Sequence, residues 1–128
     1  MKRKILIIDD EPDLLTYLKT FLEDQGFEVA CAPDVPSALE MIDEDPPDLI
    51  CLDLMMPIQS GVSLFQHLGR DESRRGIPVI IISGMNEEAM SNLAEGIGGI
   101  GGISERLRFL NKPVNLNQLL RAIHEALP

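Results

Sequence analysis

Basic residues are scarce in this chain, which contains 11 lysines and arginines against 21 aspartates and glutamates and has a formal net charge of −10. Nucleic acids are bound by basic surfaces, so this balance argues against direct nucleic-acid binding. An acidic excess also suits a protein that gathers carboxylates around a metal ion, although most such excesses are solvated surface. The positions of the acidic residues must decide between these two explanations.

Cysteine is also scarce, and long apolar runs are lacking. The two cysteines, Cys31 and Cys51, fall in strand-like runs, which favours buried, reduced thiols over a disulfide framework. Only four consecutive apolar residues, at positions 5–8, follow the N-terminal lysines and arginine. A signal peptide needs about 7–15 apolar residues and a membrane span about 20. We therefore expect a soluble, cytoplasmic protein without membrane insertion.

The chain does contain a regular alternation of apolar runs and amphipathic segments. The runs are residues 5–8, 27–32, 49–54, 79–82 and 107–110. Three of them are almost continuously aliphatic, which is typical of parallel strands covered on both faces. Strands that alternate with helices predict a doubly wound α/β domain with right-handed crossovers. Because 128 residues suit one domain and no linker interrupts them, residues 1–128 are predicted to form a single domain without an output domain.

Helix boundaries are also marked in the sequence. Asp34 is placed to cap the second helix, and Pro36 is tolerated in its first turn. The pair Pro46-Pro47 ends that helix. Asn115, followed three residues later by Gln118, resembles the capping box that opens a final helix.

Polar residues stand where the predicted strands end, and ligands of open parallel sheets bind at the carboxyl ends of the strands. These residues are Asp9, Asp10, Asp53, Ser83 and Lys112. Taken singly, Asp9 or Asp10 could cap the first helix and Ser83 the fourth. Asp53 is harder to explain in this way, because it closes a run that should be interior. Five such residues at one edge of a sheet indicate a functional site.

The chemistry of this set follows from its residue types. Clustered carboxylates repel one another, and a cation relieves the repulsion. A few carboxylates with positions left for water and phosphate are typical of a Mg²⁺ site, while a lysine and a serine bind phosphate oxygens. With no cysteine or histidine at a strand end, the candidate nucleophile is a carboxylate. The sequence therefore predicts metal-assisted phosphorylation of an aspartate.

Over essentially its whole length the chain resembles the receiver domain of two-component response regulators. The match is carried by Asp9-Asp10, Asp53 with Pro57 and Gly61, Ser83, and Lys112-Pro113. The order and intervals of these residues are highly specific in combination. The resemblance implies a flavodoxin-like fold, with five parallel strands in the order 2-1-3-4-5, and a role in a phosphorelay.

The resemblance also implies a phosphorylation site. Asp53 would accept a phosphoryl group from a phosphohistidine on a sensor histidine kinase or a histidine phosphotransfer protein. Asp10, Asp53 and the backbone carbonyl of Met55 would hold Mg²⁺ directly, and Asp9 would reach it through water.

Further residues of the resemblance concern the response to phosphorylation. Lys112 would pair with the phosphoryl group, and the Lys112–Pro113 bond is expected to be cis. Ser83 would bond a phosphoryl oxygen and move toward it. Phe109 occupies the aromatic switch position, so the surface that an unknown downstream protein binds would lie around Phe109 and the fourth helix.

The segment between Ser83 and Lys112 departs from the family pattern. It is several residues longer than in most receivers, and five of the chain's 10 glycines lie at positions 96–102. Glycine costs about 1 kcal/mol relative to alanine inside a helix. We therefore expect the fourth helix to be short or to be followed by a loop.

Three functions remain open at this point. The first is a phosphorylation-driven switch, which is a regulated binding module rather than a turnover enzyme. The second is a phosphatase or phosphotransferase with Asp53 as its nucleophile. The haloacid-dehalogenase-type version of this enzyme would want a second aspartate where Met55 stands. The third is a degenerate receiver that binds partners without phosphorylation.

Overall fold

The computed structural model describes residues 2–53, 58–84, 88 and 107–127, and of residues 58–62 and 75 it describes the backbone alone. The strands are β1 (Lys4–Ile8), β2 (Glu28–Ala32), β3 (Leu49–Asp53), β4 (Val79–Ser83) and β5 (Leu107–Asn111). The helices are α1 (Pro12–Asp24), α2 (Val35–Glu44), α3 (Ile58–Gly69), the single turn α4 (Glu72–Arg75) and α5 (Leu116–Ala126).

All five strands form one parallel sheet in the order β2-β1-β3-β4-β5. This confirms the predicted fold class and strand order. The strand order reverses between β1 and β3, so these two neighbours flank the point where ligands of such sheets bind. The sequence did not predict α4, whose first turn is opened by the Asp71 carboxylate as it accepts the Ser73 N–H at 2.9 Å.

Two apolar layers cover the two faces of the sheet. Leu6 and Ile8 point into the layer built with α2 and α3, and the alternate residues of β1 point into the layer built with α1 and α5. Every residue of β3 and β4 is buried as a consequence. This explains why both strands are apolar in the sequence up to their last residues, Asp53 and Ser83.

Two of the predicted helix caps are present. The Asp34 carboxylate accepts the Ser37 N–H at 2.8 Å, and the Asn115 side chain accepts the Gln118 N–H at 3.1 Å. Both cysteines are free, as expected, and burial raises the pKa of the Cys51 thiol to about 12. Among the described residues, no helix has the length and apolar character that crossing a bilayer requires.

Some sequence-based expectations fall outside the described residues. Met55 and Pro57 lie outside the described residues, and so do the glycine-rich positions 96–102. The short helix predicted between Ser83 and Lys112, which is not α4, belongs to the same segment and so lies outside the described residues.

Candidate phosphorylation site

The carboxylate cluster lies at the carboxyl ends of β1 and β3. Ile8 pairs with Leu52 across these strands, so Asp9 and Asp53 come next to each other as the two strands end. One carboxylate oxygen from each of Asp9, Asp10 and Asp53 lies within 4.8 Å of the other two. The topology therefore brings Asp53 beside Asp9 and Asp10, although more than forty positions separate it from them in the sequence.

Asp9 is the most enclosed member of the cluster, with a relative exposure of 1%. Its Oδ1 accepts the backbone N–H of Glu11 at 2.9 Å, whereas its Oδ2 is buried without a hydrogen-bond partner among the described residues. Burial, reinforced by the nearby Asp53 carboxylate, raises the pKa of Asp9 to about 6. A buried carboxylate oxygen that lacks a donor is costly, and a cation would satisfy it.

Neither Asp9 nor Asp10 caps α1, so that alternative explanation of these residues is wrong. The helix begins at Pro12, and the residue before it, Glu11, makes no side-chain cap. The hydrogen bond from Glu11 to Asp9 instead fixes the Asp9 carboxylate against the end of β1.

Lys112 lies opposite the cluster. Its Nζ is 2.8 Å from Oδ1 of Asp53, whose side chain is 4% exposed. The Lys112 N–H donates to the Ser83 carbonyl oxygen at 2.9 Å, and the Lys112–Pro113 peptide bond is cis. The lysine cation is therefore held at the carboxylate that would act as nucleophile.

Ser83 and Phe109 lie on the neighbouring strands β4 and β5. Ser83 is fully buried at the end of β4, one residue beyond Ile82, which pairs with Asp53. Phe109 lies in the middle of β5 opposite Ile81, and its half-buried ring packs against the apolar layer of α2 and α3. Ser83 therefore lies at the same edge of the sheet as the carboxylates. Phe109 lies farther from this edge, because it pairs with Ile81, two residues before Ser83.

The donor set fits a divalent cation of the magnesium type. Mg²⁺ prefers carboxylate oxygens and keeps several water ligands, which suits one partly exposed and two buried carboxylates. The unpartnered Oδ2 of Asp9 adds an acceptor directed at no protein donor among the described residues. The Met55 carbonyl of the expected ligand set lies outside those residues.

Sequence reasoning missed one cluster outside the site. His67 lies on α3, and its Nε2 is 2.9 Å from Oδ1 of Asp43. The same oxygen is 3.3 Å from Nη1 of Arg74. These residues join α2, α3 and α4, and only the packing of those helices reveals the contact.

The chain is similar to known proteins over most of its length. The response regulator receiver domain family model matches residues 5–124. The phosphate regulon regulatory protein PhoB of Escherichia coli is 39% identical over 88 residues, covering 69% of this chain and 38% of PhoB. Response regulator GtcR of Aneurinibacillus migulanus is 34% identical over 125 residues, covering 98% of this chain and 50% of GtcR.

A solved structure gives independent support for the fold. The chemotaxis protein CheY4 of Vibrio cholerae superposes with a TM-score of 0.84 at 22% identity, covering 99% of this chain and all of that one. The chain thus spans half or less of the two curated relatives, but the whole of this solved chain. It belongs to the response regulator receiver domain family of two-component signal transduction.

Proposed function

We propose that this chain is a phosphorylation-dependent switch in which Asp53 accepts a phosphoryl group from a phosphohistidine. The donor would be a sensor histidine kinase or a histidine phosphotransfer protein. The observation that carries the proposal is the 2.8 Å contact between Lys112 Nζ and Asp53 Oδ1, beside two further carboxylates. Membership of the receiver family supports it as well.

The proposed transfer is a single displacement at phosphorus. An Asp53 carboxylate oxygen forms the new O–P bond while the N–P bond to the donor imidazole breaks, and the imidazole leaves with the electron pair. Lys112 places its positive charge beside the phosphoryl oxygens, and the Ser83 hydroxyl donates a hydrogen bond to one of them. Such a transfer is catalysed mainly by positioning and charge neutralisation.

The three aspartates would hold Mg²⁺ in this proposal. Asp10 and Asp53 would bind the ion directly, and Asp9 would bind it through water. When bound, Mg²⁺ supplies positive charge that offsets the negative charge of the phosphoryl oxygens. Asp9 contributes by keeping an acceptor fixed in a buried position, since the Glu11 N–H holds its other oxygen.

The response to phosphorylation would travel through β4 and β5. A phosphoryl group on Asp53 competes for Lys112 and for the Ser83 hydroxyl, and the two residues are joined by the hydrogen bond from the Lys112 N–H to the Ser83 carbonyl. Phe109 lies on β5, three residues before Lys112, which directly follows that strand, and Phe109 would transmit the change to the surface. The downstream protein would bind there.

We also infer that residues 1–128 act as one domain and that the protein is cytoplasmic. The single sheet with two apolar layers supports the first inference. The second agrees with the absence of a membrane-crossing helix among the described residues and with the family.

The test is incubation with acetyl phosphate and Mg²⁺, followed by intact-mass measurement. We expect one phosphoryl group on the wild type and none on Asp53→Asn. Asp24→Asn serves as the matched control, because Asp24 is an exposed acid at the far end of α1. Labelling of Asp53→Asn would contradict the assignment. Sustained turnover of the donor would indicate the enzyme, and no labelling of the wild type would indicate the degenerate receiver.

A further inference from the structure

We draw no further inference here: the strongest candidate, the apolar surface patch that the exposed Tyr17 forms on α1 with the half-buried Leu14 and Phe21, carries nothing because no feature of the described residues shows what covers it.

Discussion

The backbone N–H of Lys112 donates a 2.9 Å hydrogen bond to the carbonyl oxygen of Ser83. This bond continues the ladder between β4 and β5 one step beyond the pair Ser83–Asn111. It fixes the lysine of the candidate site to the serine through the backbone, while the lysine side chain reaches Asp53 on β3. A backbone hydrogen bond and a side-chain ion pair therefore connect the three residues across the ends of three adjacent strands.

Replacement of Lys112 by alanine should destabilise the unphosphorylated protein. The Asp53 carboxylate is buried and would lose its cation, which we expect to cost about 1–3 kcal/mol because the lysine itself is partly solvated. Urea denaturation at neutral pH measures the free energy of unfolding. The double variant Asp53→Asn, Lys112→Ala should lose much less relative to Asp53→Asn alone. An equal loss in both backgrounds would show that the contact between the two residues contributes nothing.

Magnesium should raise the melting temperature of the wild type, because it would bind the clustered carboxylates of the native state alone. At a concentration ten times its Kd the expected rise is about 5 °C. Asp10→Ala should remove most of this rise, since Asp10 is the exposed member of the cluster and its loss disturbs the core least. Asp13→Ala, in the first turn of α1, is the control and should retain the rise. The same rise in Asp10→Ala as in the wild type would argue against this metal site.

Asp9 should make the metal-free protein less stable as the pH increases. Because the pKa of Asp9 is raised to about 6, the native state holds this proton more tightly than the unfolded chain does. The stabilisation is fully present below about pH 4 and is lost as the pH rises through about 6, a fall on the order of 3 kcal/mol. Asp9→Asn should lack this fall when unfolding is measured between these pH values without Mg²⁺. Parallel pH profiles for Asp9→Asn and the wild type would contradict the prediction.

The cap of α5 should contribute measurably to stability. Asn115→Ala removes the side-chain acceptor of the Gln118 N–H and should lower the free energy of unfolding by about 1 kcal/mol. Asn117→Ala, an exposed substitution in the first turn of the same helix, is the control and should have a small effect. Chemical denaturation distinguishes the two variants, and equal stability would mean that α5 does not depend on this cap.

The sequence by itself determined the strands and the composition of the site. Parallel strands covered on both faces are apolar along nearly their whole length, so β3 and β4 are visible as continuous runs that end at Asp53 and Ser83. Because the carboxyl ends of parallel strands share one edge, the residues that follow each run could be assigned to one site before any contact was known. The caps Asp34 and Asn115 are equally local, since each acts on a residue three positions away.

The tertiary structure alone decided which side chains meet and which atoms are left without partners. Oδ2 of Asp9 lacks a hydrogen-bond partner among the described residues because β1 and β3 end close together, and the contact of His67 with Asp43 depends on how α3 packs on α2. Hydrophobic periodicity carries the direction in which a side chain points, but distances between elements are set by packing of the whole core, which no local pattern encodes.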